Sequence, residues 1–166
     1  MPRIPLPDGD TPEATRALGL RPTFQAAADQ LERAVWKSTL DRRLHELVRM
    51  RVAMANRCTV CMDWRNPTWC DDEALLAGVC SPATTPGYTD VERDALDFAG
   101  RFCDDHLSIS DDLLARLTSS LGAGGVVELS LVVGKYLAMG RFMQVLGLDQ
   151  ACALHFDADG RLTRSA

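Results

Sequence analysis

The feature that most constrains this 166-residue chain is its most apolar stretch, Val126 to Leu148, which Glu128, Lys135 and Arg141 interrupt. Three charges at bilayer depth are costly, so the stretch reads as a buried helix and not as a membrane span. Its apolar residues fall on more than one face, and a helix of that kind needs cover on more than one side. One side is expected in the core of its own domain and another against a partner chain, which predicts a homo-oligomer.

The remaining periodic segments are helical too. Phe24 to Val35 is alanine-rich, and Asp41 to Ala55 places Leu44, Leu47, Val48, Arg51, Val52 and Ala55 at three-and-four spacing. After a break at Asn56-Arg57, the segment Cys58 to Arg65 begins another helix, ended before Pro67 by the restriction on pre-proline residues. Thr89-Asp90-Val91-Glu92 is a capping box, and Ser110 with Asp111 and Asp112 starts a further helix. Gly122-Ala123-Gly124-Gly125 punctuates the chain before the long apolar helix. No run alternates strictly between paired turn signals, so the expected fold is all-α: a single helical-bundle domain of six or seven helices. Residues 1–22 hold five of the eight prolines and read as an extended N-terminal arm, 23–150 as the domain, and 151–166 as a C-terminal tail.

Composition narrows the function classes. A 46% hydrophobic and 25% charged chain is that of an ordinary globular protein, and a net charge of -5 with dispersed arginines leaves no footprint for nucleic acid or an anionic membrane. The residues from Met1 to Asp8 contain no apolar core of signal-peptide length, so the cytoplasm is the expected compartment. Six cysteines in such a chain point to reduced, catalytic or metal-binding thiols.

The chemistry centres on Cys58-Thr59-Val60-Cys61. A first cysteine at a helix start lies near unsatisfied backbone N–H groups, which favour its thiolate, and the second lies close enough to close a disulfide. A free cysteine of pKa ~8.5 is only about 3% thiolate at pH 7, and a fall of two units raises that share to roughly three quarters. Arg65, four positions after Cys61, shares that cysteine's face on a continuous helix and would favour a thiolate. Glu46 sits on the preceding helix; folded back, its carboxylate would reach the sulfurs or Arg65 and accept a thiol proton.

The run Glu46-Leu47-Val48-Arg49-Met50-Arg51-Val52-Ala53 followed by Cys58-Thr59-Val60-Cys61 resembles the carboxymuconolactone decarboxylase-like superfamily, most closely its alkylhydroperoxidase (AhpD-like) branch, where a glutamate stands twelve positions before the first cysteine. Tyr88 to Leu96, Val126-Val127-Glu128-Leu129 and Gly140-Arg141-Phe142 extend the resemblance over roughly residues 24–148. It implies an all-helical oligomer that reduces hydroperoxides with its dithiol, without a cofactor, using electrons from a dithiol donor such as a lipoylated or thioredoxin-like protein. The family usually has histidine where this chain has Arg65, and some members have one where it has Val60. Arginine holds a thiolate but does not shuttle protons at neutral pH, so the resemblance implies an altered relay. The lactone decarboxylases of the superfamily lack the dithiol.

Other readings stay open at this point. The same dithiol suits a redox sensor or a non-catalytic oligomeric scaffold, and Cys58, Cys61, Cys70 and Cys80 loosely match a structural zinc site. Glu46 also reads as a surface acid beside Arg42, Arg43, Arg49 or Arg51, and Arg65 as a surface partner of Asp63, Asp71 or Asp72. Cys70, Cys103 and Cys152 read as core residues, His45, His106 and His155 as isolated, and Trp64 and Trp69 as packing near the site.

Overall fold

Most of the helices begin where a side chain takes up their first orphan N–H groups. The computed structural model describes residues 1–66 and 68–149 and, past them, the backbone of 154–156 and 162–164. Seven α-helices occur among them: α1 Glu13–Gly19, α2 Pro22–Trp36, α3 Arg42–Ala55, α4 Thr59–Asp63, α5 Glu73–Gly78, α6 Asp90–Asp104 and α7 Asp111–Leu146. Pro22 opens α2 at a position where its missing N–H costs nothing. Asp41 caps α3 through Arg43 N and Leu44 N, and Asp72 caps α5. The capping box at Thr89 and Glu92 is complete, and Ser110 caps α7.

The glycine punctuation survives as a kink: Gly122 has φ 72° inside α7, a left-handed value that an L side chain rarely adopts. Gly147 (φ 66°) then ends the helix, with Leu148 N donating to Met143 O and Gly147 N to Gln144 O, a Schellman motif.

The helix α3 is the centre, packed against α6 and α7. Val48, Val52, Ala95, Phe98, Ala99, Leu117, Leu129, Val132 and Val133 fill the main cluster. A second cluster gathers Leu47, Met50, Leu76, Val79 and Leu96; a third joins α1, α4 and the end of α7 through Ala14, Ala17, Cys58, Met143 and Leu148. Of the predicted face of α3, Leu44, Leu47, Val48 and Val52 are buried and Arg51 and Ala55 partly so, but His45, Glu46 and Arg49 are buried too, because these polar side chains find partners inside. By composition α7 is long and apolar enough to cross a membrane, yet Leu129, Val132 and Val133 are buried in the core while Val127 and Leu131 stand exposed.

The termini differ from the sequence reading in two ways. Residues 13–19 of the expected extended arm are helical, because Glu13 N and Ala14 N donate to the Asp149 carboxylate at 2.9 and 2.8 Å and Asp149 N donates back to Glu13 at 2.6 Å. This is a capping box whose halves are 136 residues apart. The arm before it lies along α7, where Arg3 donates to the Leu146 and Val145 carbonyls. In the C-terminal tail, Leu154–Phe156 and Leu162–Arg164 pair as two antiparallel strands with His155 opposite Thr163, a small sheet besides the helices. Cys152 lies outside the described residues.

Candidate functional site

The turn between α3 and α4 sets the site. Arg57 takes φ 52°, a value uncommon for a side-chain-bearing residue, and so reverses the chain after Asn56. Asn56 Nδ2 donates to the Tyr136 carbonyl at 3.1 Å and occupies the space beside Gly140, where a Cβ would come within 2.3 Å of it. Any larger residue at 140 would push the Asn56 side chain off this hydrogen bond.

Cys58 is the N-cap of α4 and Cys61 lies in its first turn, as the spacing predicts. Their sulfurs are joined as a disulfide, with the Cys61 N–H donating to Cys58 Sγ at 3.3 Å. The two are not equivalent. Cys58 is fully buried, whereas Cys61 lines a cavity of about 350 Å3 bounded by α1, α2, α3, α4 and α7. Leu18, Ala28, Val60, Trp64, Met139 and Met143 make most of its wall apolar.

Glu46 is also fully buried, but it faces neither sulfur nor Arg65 with a hydrogen bond. Both of its oxygens accept from Arg49, at 2.7 Å each. Arg49 also donates to the carbonyls of Cys61 at 2.6 Å and Trp64 at 3.1 Å, and its guanidinium stacks over the Trp64 ring at 4.7 Å. The buried cation of this site is therefore Arg49, which ties the middle and the C-terminal end of α4 to α3. Its position three residues after Glu46 on one helix was the available signal.

Arg65 lies elsewhere. The helix α4 stops at Asp63 and Trp64 is extended (ψ 136°), so Arg65 does not continue the face of Cys61. It donates to exposed Glu73 at 2.9 and 3.2 Å and to the Trp64 carbonyl at 3.1 Å. A surface pairing was among the alternatives, though with Asp63, Asp71 or Asp72 as partner; the buried arginine beside the dithiol segment is Arg49, whose donors go to Glu46 and to the carbonyls of Cys61 and Trp64.

Among the described residues, Cys70, Cys80 and Cys103 do not join the dithiol into a four-sulfur group. Cys70 packs in the second cluster, Cys103 is buried in the first, and exposed Cys80 lies 3.5 Å from the Met54 sulfur. Burial pushes the thiols of Cys70 and Cys103 up. Among the described residues no group of three or more His, Cys, Asp or Glu is arranged to hold a metal.

Sequence reasoning missed a second polar system. Lys135 is buried at the cavity with its Nζ 2.5 Å from Glu32, and next to it Tyr136 Oη lies 3.1 Å from His45 Nε2. Burial first, then Lys135, Arg42 and Arg49, push His45 down to about 3, so it is a neutral imidazole. Its ring sits 4.9 Å from Trp69, which stacks on Trp36 at 4.8 Å. The signal for Lys135 was a lone lysine within the most apolar stretch, since buried lysines are rare unless paired.

Comparisons with known proteins agree with this architecture. The sequence model of the carboxymuconolactone decarboxylase family matches residues 22–64, which span α2 to the end of the dithiol segment. The structure is similar to that of an Agrobacterium tumefaciens protein of unknown function, for which a role as the antioxidant defence protein AhpD has been suggested. The TM-score is 0.64 at 19% identity, covering 79% of this chain and 92% of that one. No curated protein sequence matches the chain. With the glutamate-to-dithiol register held on α3 and α4, the segment 22–64 is similar to the carboxymuconolactone decarboxylase family, and the helical domain has the fold of that Agrobacterium protein, an AhpD-like fold.

Proposed function

We propose that the protein is a thiol-dependent peroxidase of the AhpD-like kind, reducing hydroperoxides through a Cys58/Cys61 dithiol–disulfide cycle. The observation that carries this reading is the asymmetry of the pair: Cys61 opens on the cavity, and Cys58 stands buried behind it at bonding distance. In this cycle the Cys61 thiolate attacks the terminal peroxide oxygen, and the sulfenic acid condenses with Cys58 to release water. A dithiol donor, lipoylated or thioredoxin-like, then attacks Cys61. Cys58 leaves as a thiolate, which the Cys61 N–H stabilises. Glu46 acts through Arg49, holding the carbonyls that place α4.

The dithiol is expected to work within a homo-oligomer in the cytoplasm. Val127 and Leu131 on one face of α7, and Phe24 on α2, are 61%, 58% and 71% exposed, apolar surface that a second copy would cover. Light scattering at micromolar concentration should give a multiple of 18.2 kDa.

The test of function is single-turnover oxidation of the reduced protein. Cys58→Ser should consume one equivalent of an organic hydroperoxide and leave a sulfenic acid that dimedone traps on Cys61. Cys61→Ser should not react. Repeated turnover with a dithiol reductant separates a peroxidase from a sensor that oxidises once.

A further inference from the structure

The cavity beside Cys61 is flanked by two buried ion pairs that differ in what they can do. Arg49 is fully engaged by Glu46 and two carbonyls, and a guanidinium does not release its proton at neutral pH. Lys135 can. Its side chain is only 5% exposed, Glu32 takes one N–H at 2.5 Å, and the Tyr136 ring lies 4.2 Å from the nitrogen. An ammonium carries three N–H bonds, so one remains for a molecule in the cavity, which both Lys135 and Glu32 line.

Taking a lysine charge out of water on an apolar helix costs several kcal/mol, and a well-packed apolar residue would join α2 to α7 without that cost. Another lining residue, Asn56, has its Oδ1 buried and without a hydrogen-bond partner among the described residues, an acceptor for a guest hydroxyl.

We propose that the Glu32–Lys135 pair is the proton shuttle of this cavity, an inference that rests on the peroxidase reading above. Glu32 takes the proton of the Cys61 thiol. The thiolate sulfur attacks the terminal oxygen of R–O–OH, so that an S–O bond forms, the O–O bond breaks and its electron pair leaves on R–O−. Lys135 protonates that alkoxide to the alcohol, and the proton on Glu32 returns to the lysine nitrogen. Cys61 is oxidised to the sulfenic acid, the peroxide is reduced, and the pair ends as it began.

Burial pushes the Lys135 ammonium down and makes it a better acid, while the Glu32 charge opposes that shift and Arg49 adds to it. Asp29 and Arg33 of α2 line the same cavity, and neutral His45 reaches it only through Tyr136. The shuttle fills the place that Arg65, held at the surface, leaves open.

The experiment compares oxidants by leaving group. The reduced full-length protein is mixed with tert-butyl hydroperoxide, whose leaving alkoxide needs a proton, with peracetic acid, whose leaving carboxylate does not, and with an aromatic disulfide. Lys135→Met should slow oxidation by the alkyl hydroperoxide about 100-fold, the low end of general acid–base effects, and change the other two rates less than about threefold. Lys135→Arg, which keeps the charge and the pairing with Glu32 but holds its proton, should restore thermal stability without restoring the alkyl hydroperoxide rate. Equal slowing with all three oxidants, no slowing at all, or full rescue by arginine would each overturn the shuttle. A wild-type protein that reacts with the disulfide but with neither peroxide would overturn the peroxidase reading itself.

Discussion

Two arginine–carboxylate pairs flank the dithiol, and they contribute very different things. Arg49 and Glu46 meet three residues apart on α3 with 5% and 0% of their side chains exposed, whereas Arg65 meets Glu73 at the surface with 33% and 67% exposed. Both have near-ideal distances. The inner pair also holds two carbonyls of the dithiol segment, so breaking it leaves a buried charge and a loosened helix; the outer pair exchanges with water. Distance to the cysteines along the chain favoured Arg65, and burial decided for Arg49.

The comparison can be broken most forcefully at Glu46. Glu46→Ala leaves the Arg49 guanidinium buried without its carboxylate, a loss of roughly 3–5 kcal/mol. At about 2–4 °C per kcal/mol for a chain of this size, thermal unfolding should move down by roughly 10 °C. Glu46→Gln keeps one acceptor and should recover part of it. A melting curve unchanged by Glu46→Ala would refute the clamp.

Acid is the next lever, through His45 in the same buried region. Burial holds its folded pKa at about 3, below the ordinary histidine value of 6.5, so the unfolded chain takes up a proton first as pH falls. The stability from keeping this imidazole neutral is complete above about pH 6.5. It declines by at most ~1.4 kcal/mol per pH unit, close to 2 kcal/mol by pH 5. Urea unfolding from pH 7 to 4 should show a shallower slope for His45→Gln than for wild type; parallel slopes would mean that the imidazole charges in place.

Arg49→Lys sharpens the contrast within the inner pair. A lysine keeps the charge but not the fork that holds Glu46 and two carbonyls at once. The disulfide should persist, while alkylation of reduced Cys61 should quicken as α4 loosens, by a few-fold in a timed iodoacetamide assay.

The smallest effect belongs to Arg65. Arg65→Ala should leave both melting temperature and the pH profile of Cys61 alkylation superimposable on wild type, and Arg65→His should not raise peroxide turnover. A displaced alkylation curve for Arg65→Ala would return a thiolate-stabilising role to this residue and erase the distinction between the two pairs.

Much of the architecture was legible because it is written in local signals. Capping residues at Thr89 and Ser110, the glycine at 122, and three-and-four apolar spacing act within a turn or two of their own position. The placement of Cys58 at a helix start is equally local. The short helix α5 left no periodicity to read, and α1 depends on a carboxylate from the far end of the domain.

What the sequence determined by itself was the helical class, the dithiol and the register of Glu46 with it, because hydrogen bonds within a helix and the reach of two cysteines depend only on neighbours along the chain. Tertiary structure alone decided which arginine serves the site, which sulfur faces the cavity, and that Glu32 meets Lys135 and Asp149 caps α1. Those are matters of burial and of contact between distant segments. Since a charge is stabilised or penalised by what surrounds it in space, the same residue types at the same spacing lead to a buried clamp at Arg49 and a solvated pair at Arg65.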